Sequence, residues 1–343
     1  MLKTLDYRDK TVLITGHTGF KGYWLCKILK HLGANVIGLS NEYIFKENKS
    51  FITEAVSSSY LVDILDQATL LQVLSKVNPD YIFHLAAQSL VRRSYKEPEL
   101  TWMTNVVGTL NLINTSSNLD RPPVLICATT DKVYKNDDLE IRLFGEDEPL
   151  GGDDPYSASK AACEILLQST VFRQKQKQIN LGRLTSVRAG NVIGGADWSE
   201  DRIVPDIIRS IASNNSLKIR NPSSVRPWQH VLDCCSAYLF IGQYNGLHHS
   251  FNVGPSEQDF LDVKRIIEFS KDYFDVTSYV EPDIFKPEKT YLQLDVSRFK
   301  NEIGFEPRIN GRKIFDLTFE WYGNYLQNGE CIAERQIQEY FDE

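Results

Sequence analysis

Apolar positions change their period twice between Thr11 and Leu39. Thr11-Val12-Leu13-Ile14-Thr15 is an unbroken, partly β-branched run, which predicts a strand buried on both faces of a parallel sheet. Trp24, Leu25, Ile28, Leu29 and Leu32 then fall on one helical face, Gly33 closes it, and Ala34 to Leu39 returns to a strand pattern. The alternation continues. Strands are predicted over 60–65, 81–85, 124–128, 180–188 and 251–255, and helices over 68–77, 101–117, 203–211 and 263–273, with another helix entered at Asp154. Strands separated by helices pair in parallel, because a parallel return needs a crossover. The expected fold class is therefore α/β: a Rossmann-type doubly wound parallel sheet with a smaller, interleaved α+β lobe. Residues 40–59 lack periodicity and read as a loop, and 135–149 as an irregular, mobile flap. Phe319, Trp321, Tyr322 and Tyr325 form an aromatic stripe whose expected place is the core.

Composition narrows the class without changing it. At 343 residues, 42% hydrophobic and 24% charged, the chain is long enough for two substructures around a sizeable core. A net charge of -7 argues against nucleic acid or an anionic membrane as partner. No window approaches the roughly 18 continuous apolar residues of a span. MLKTLDYRDK is too polar for a signal peptide, so a cytoplasmic location is expected. Six cysteines without a CxxC pair read as buried free thiols in a reducing compartment, and scattered histidines give no metal site.

Candidate chemistry begins at the first turn. Gly16, Gly19 and Gly22 are spaced three apart between strand and helix, where glycines admit a dinucleotide pyrophosphate to the helix N-terminus. Close packing of helix on strand is the alternative. No arginine follows Leu39, and Glu42 or a hydroxyl is available for a ribose, which favours NAD. Asp63 is expected at a strand end near the adenine; read alone it is equally a surface carboxylate. Ala86-Ala87-Gln88-Ser89 permits close backbone approach, and Asn105 and Gly108 share a small-residue helix face. Thr129-Thr130-Asp131-Lys132-Val133-Tyr134 ends a strand, where ligands of open α/β sheets bind; read alone it is equally an exposed turn. Tyr156 and Lys160 are four apart on one helical face, and a neighbouring ammonium favours a phenolate base near neutral pH.

Gly16-His17-Thr18-Gly19-Phe20-Lys21-Gly22 together with Tyr156-x-x-x-Lys160 resembles the extended short-chain dehydrogenase/reductase family. TDKVY (130–134), YSASK (156–160), RAGNVIGGADW (188–198), DRIVPD (201–206) and RPWQHVLD (226–233) are similar to the nucleotide-sugar 4,6-dehydratases of that family, with CDP-glucose the implied substrate. The match runs from near the start to about residue 255, with a weaker echo in LDVSR (294–298).

The resemblance implies that residues 1–190, with a returning segment near 230–255, form an NAD-binding Rossmann domain, and that 191–229 and 256–343 form the nucleotide-sugar-binding lobe. It implies NAD contacts from the seven residues Gly16 to Gly22 and from Asp63, Ile64, Leu85, Ala86, Ala87, Gln88, Asn105, Thr129, Tyr156 and Lys160. Ser89, Asn191, Arg202, Val204, Arg220, Arg226 and His230 would hold the substrate. Tyr156 would take the proton of the sugar 4-OH, Lys160 would hold the nicotinamide ribose, and Thr130 would bond O4. Asp131 is placed like the acid for the departing 6-OH. Lys132 stands where related dehydratases carry Glu as the C5 base. The implied product is CDP-4-dehydro-6-deoxyglucose, and the implied assembly a homodimer or higher homo-oligomer. Ala196 departs from the motif, where glycine is expected, as do Cys234 to Tyr238 and residues 41–52. A nucleotide-sugar epimerase or reductase, a dehydratase for another nucleotide sugar, and a non-catalytic dinucleotide sensor are the competing readings.

Overall fold

A computed structural model describes residues 2–137, 142–255, 260–281 and 292–342. Parts of the expected flap (138–141) and of the expected second lobe lie outside the described residues. Seven strands form one parallel sheet: β1 (Thr11–Thr15), β2 (Asn35–Ser40), β3 (Ser58–Leu61), β4 (Tyr81–His84), β5 (Val124–Ala128), then, past the two-residue β6 (Leu143–Phe144), β7 (Leu184–Ala189), and later β11 (Ser250–Val253). Their order is β11-β7-β5-β4-β1-β2-β3. The order reverses between β1 and β4, so the carboxyl ends of those strands open the crevice in which such sheets bind ligands.

Most crossovers are helices: α1 (Phe20–His31), α2 (Lys49–Ala55), α3 (Gln67–Val77), α4 (Val91–Lys96), α5 (Pro98–Trp102), α6 (Gly108–Ser117) and α7 (Pro155–Lys175). Three expectations shift here. The third strand starts at Ser58, two residues early, and stops at Leu61; it is the outer strand of the sheet, where the exposed Ser58 and Ser59 are tolerated. Residues 49–55 of the expected loop form α2, with Ile52 and Ala55 buried. The helix expected over 101–117 is broken by a π-turn over Met103–Val107, and Gly108 follows where a Cβ would lie 2.4 Å from Ile64 Cδ1.

The remainder forms smaller pieces. β8 (Asn191–Ile193), β10 (Val225–His230) and β12 (Phe260–Asp262) make a three-stranded sheet, and β9 (Leu217–Ile219) pairs with β13 (Ser278–Val280). β14 (Gln293–Leu294) pairs with β6, inside the expected flap. Around them lie α8 (Ile203–Ala212), α9 (Val231–Gln243), α10 (Val263–Ser270), α11 (Ser297–Ile303), α12 (Lys313–Asn328) and α13 (Ala333–Asp342). Phe319, Trp321 and Tyr322 of α12 are buried in the main core, which joins both parts of the molecule. All six cysteines are free; Cys331 is half-buried, not buried, and sits 2.8 Å from Tyr23 Oη. Among the described residues no helix is long and apolar enough to cross a membrane.

Candidate active site

The first turn leaves no room for side chains. Gly16 has φ +74°, and a Cβ there would lie 2.7 Å from Ala86 N; one on Gly22 would lie 2.2 Å from Gly16 O. Gly19, the N-cap of α1, offers no side-chain acceptor to the helix. The leading N–H groups and the positive dipole end of α1 are therefore left for an anion, and the residues present fit a dinucleotide pyrophosphate.

Not every expected cofactor residue faces that turn. His17 is buried, with Nδ1 2.9 Å from Ser40 Oγ and Nε2 2.9 Å from Ser59 Oγ. Burial lowers its pKa to about 4, so at neutral pH it is an uncharged brace joining the loop to β2 and β3. Thr18 donates to Glu42 O (2.8 Å) and Phe20 packs in the core. Lys21 Nζ donates to Tyr238 Oη at 3.0 Å. Asp63 is exposed, in a turn beyond β3 where its Oδ1 accepts the Leu65 N–H, while Ile64 is buried. Leu85 and Ala86 continue β4 through bonds to Thr15 O (3.0 Å) and Thr15 Oγ1 (3.2 Å). Ala87 is half-buried and Ser89 exposed beside them. Asn105 accepts from Gln88 N (2.8 Å) and donates to Gln88 O (3.0 Å) and Ser159 Oγ (2.9 Å), so its amide is engaged inside the chain and ties this loop to α7.

The turn after β5 is not an exposed one. Thr130 and Asp131 are buried, and Lys132 is partly exposed. Thr130 Oγ1 donates to Asp131 Oδ1 (2.9 Å), and Lys132 Nζ lies 3.5 Å from the same oxygen. Asp131 Oδ2 is buried without a partner, facing Gly190, whose Cβ would stand 3.5 Å away. An unpaired buried carboxyl oxygen is costly unless it carries a proton or meets a ligand.

Asp154 caps α7 through the Ser157 N–H (2.9 Å), and Pro155 occupies its first position. This sets Tyr156 and Lys160 on the helix face toward β5. Thr130 stands beside the Tyr156 phenol and favours its ionised form. Lys160 Nζ donates to Ala128 O at 3.2 Å. The expected phenolate is not favoured in this state. Burial, above all, pushes the Tyr156 phenol up to about 12, against the neighbouring Thr130 and the Arg202 charge. Burial also lowers the Lys160 ammonium, which spends its proton on a carbonyl.

The expected substrate residues separate into two groups. Arg202 pairs with Asp197 (3.0 Å) and acts electrostatically on Tyr156. Arg220 pairs with Asp201, whose carboxylate also lies 3.6 Å from Arg92 of α4. Arg226 is buried, with Nη1 donating to Val225 O (2.8 Å), and Asn191 Oδ1 is buried without a partner. Val204 and His230 belong to the interior. Val204 packs in the core, and His230 Nδ1 accepts the Leu232 N–H as the cap of α9, with burial lowering its pKa to about 3. Both side chains are apolar or uncharged there, so neither supplies the charge a phosphate needs. Ala196 has φ 65°, a left-handed conformation that accounts for the glycine expected in its place.

Sequence reading missed Arg92, Glu164 and Arg188. Arg188 lies in a strand that reads as apolar, Glu164 on a helix whose charge looks like surface, and nothing in their spacing foretells their meeting.

Comparison with known proteins agrees with this geometry. A model of the NAD dependent epimerase/dehydratase family matches residues 12–254. The chain is 34% identical to a CDP-glucose 4,6-dehydratase of Salmonella typhimurium, over 97% of each chain. It is 27% identical to a dTDP-glucose 4,6-dehydratase of Haemophilus influenzae, over 91% of this chain and 97% of that one. Its fold matches a UDP-glucose 4-epimerase of Thermotoga maritima with UDP-glucose, at TM-score 0.81 and 24% identity, over 92% of this chain and 100% of the other. A UDP-glucose 4-epimerase of Thermus thermophilus in complex with NAD matches at TM-score 0.78 and 22% identity, over 91% and 98%.

Proposed function

The chain belongs to the NAD dependent epimerase/dehydratase family, and on that premise we propose that it is a nucleotide-sugar 4,6-dehydratase converting CDP-glucose to CDP-4-dehydro-6-deoxyglucose and water. The observation that carries this reading is the turn Thr130-Asp131-Lys132, beside Tyr156, in which Asp131 is buried with one unpartnered carboxyl oxygen. An epimerase needs the tyrosine but no acid for a leaving hydroxyl.

The turn from Gly16 to Gly22 would hold NAD, which would supply a hydride acceptor for the sugar C4 and a hydride donor for C6. Tyr156 takes the 4-OH proton, with Thr130 bonding O4. Because burial favours the neutral phenol, ionisation of Tyr156 needs a cation close by; Arg202 already favours it, and Lys160, one helical turn on, adds to it. The resulting 4-ketone acidifies C5–H. Transfer of the Lys132 proton to Asp131, 3.5 Å away, leaves a neutral amine that removes the C5 proton, while Asp131 gives the proton it received to the departing 6-OH, so one water leaves across C5 and C6. A proton then returns to C5. Arg202, Arg220 and Arg226 grip the nucleotide diphosphate, the first two exchanging carboxylate for phosphate partners. Residues 1–190 and 230–255 serve NAD, and the other segments the nucleotide sugar.

We further infer a cytoplasmic homodimer. The free thiols fit a reducing compartment. Leu100, Trp102 and Met103 near α5, with Ile165 and Phe172 of α7, are exposed on neighbouring elements and give a second copy an apolar face. Light scattering that returned a monomer would remove the dimer. For the activity, the test is incubation with CDP-, dTDP- and UDP-sugars followed by mass spectrometry. Loss of one water from CDP-glucose is expected; epimerisation alone, or water loss only from another nucleotide sugar, would overturn the assignment.

A further inference from the structure

Tyr156, Lys160 and Glu164 follow one another at intervals of four along α7, hence on one stripe. That stripe meets consecutive residues at the end of β5: Lys160 donates to Ala128 O, Glu164 accepts from Thr129, and Tyr156 stands beside Thr130. The Glu164 link is the shortest, with Thr129 Oγ1 donating to Oε1 at 2.5 Å. Oε2 accepts from Ser186 Oγ (2.9 Å) and from Arg188 Nη2 (2.7 Å). Glu164 and Arg188 are both almost wholly buried.

Arg188 reaches the other end of the same turn. Its Nη1 donates to Tyr134 Oη (2.8 Å) and to Glu146 O (2.9 Å), and Tyr134 Oη in turn donates to Asn252 Oδ1 (2.6 Å) on β11. One ion pair thus holds residue 129 through its carboxylate and residue 134 through its guanidinium, and the acid–base turn lies between. A buried pair of this kind adds little to stability alone, since desolvating two charges offsets their attraction and apolar residues of similar volume hold a core equally well. What apolar residues cannot do is fix direction. Reacting groups must be held to within about 0.5 Å, and a misplacement of about 1 Å costs roughly a hundredfold in rate.

We propose that the Glu164–Arg188 pair is a positioning device that sets the turn carrying Asp131 and Lys132 in register with Tyr156, so that elimination depends on it more than oxidation does. The inference rests on the dehydratase reading. The two steps part because Tyr156 and Lys160 are set by the Asp154 cap of α7 and the Lys160 bond to Ala128 O, whereas the Asp131–Lys132 side is fixed through Tyr134.

Tyr134→Phe removes the guanidinium's grip on the turn while leaving the buried charges paired. With CDP-glucose, product formation should fall about tenfold or more at unchanged KM. The first reduction of bound NAD should keep its wild-type rate, so reduced nicotinamide accumulates and is seen by its near-ultraviolet absorbance. Glu164→Gln, which strips the carboxylate, should slow both steps. Thermal melts of each variant separate folding loss from positioning. If folded Tyr134→Phe makes product at the wild-type rate, or if both steps slow equally in it, the inference fails. It also fails if Glu164→Gln melts lower yet turns over normally per folded molecule. A wild type that releases no water overturns the dehydratase reading and this inference together; a silent variant overturns the inference alone.

Discussion

The two parts of the molecule that meet at Tyr156 are prepared for their ligands in opposite ways. On the cofactor side, backbone and packing do the work: Gly16 and Gly22 sit where a Cβ would strike the chain, and His17, neutral and buried, locks the turn to two strands. On the proposed substrate side the arginines are held by charge, Arg202 on Asp197, and Arg220 with Arg92 on Asp201. A backbone cradle is ready before its ligand arrives. Arginines already paired must trade one anion for another, so their affinity is tuned by the carboxylates they leave.

Four substitutions press on this contrast, the largest first. Tyr156→Phe at the seam should lower kcat about a thousandfold while NAD affinity, measured by fluorescence titration, changes less than about twofold. Since burial holds the phenol near 12, it is protonated at pH 7, and each unit of rising pH should increase its ionised fraction about tenfold. The rate of the wild type limited by this base should therefore climb with pH, and the Phe variant should lose that climb. Gly22→Ala would place a Cβ 2.2 Å from Gly16 O. Overpacking costs about 1–3 kcal/mol, which should weaken NAD binding about tenfold to a hundredfold in the same titration. Retained affinity would mean that the cradle is soft.

Asp201→Asn acts on the other side and in the other direction. Freed of a half-exposed pair worth about 0.2–1 kcal/mol, Arg92 and Arg220 should bind the nucleotide sugar more tightly, lowering KM by up to about fivefold. The gain should shrink at high salt. A raised KM would show instead that Asp201 holds the arginines in place. The smallest effect is expected at Gly323 of α12, where an added Cβ would meet nothing within 4 Å beyond its own helix backbone. Gly323→Ala should raise stability by about 0.5–1 kcal/mol in urea melts without touching NAD affinity.

The same contrast explains what could be read early. The glycine turn was legible because a strand, three glycines and an amphipathic face are all local, and local sterics fix their outcome. β1 and β5 fell on their expected residues, and the aromatic stripe of α12 proved to be core. The third strand and the pH behaviour of Tyr156 were misjudged for a shared reason. Each depends on neighbours distant in sequence: an edge position for Ser58 and Ser59, and the depth at which α7 packs for the phenol. His230 and Val204 were drawn toward the substrate by motif alone, and packing put them inside.

By itself, then, the order of residues determined the parallel α/β plan, the cofactor turn, and which stretch carries the hydroxyl, carboxylate and amines. Periodicity and glycine sterics act within one or two turns of chain and need no partner. Only the folded molecule decided that Asp131 is buried with an unpaired oxygen, that Arg92 joins Arg220 on one carboxylate, and that Glu164 and Arg188 meet. Burial and ion pairing arise when segments far apart in sequence exclude water together, and no local pattern records that.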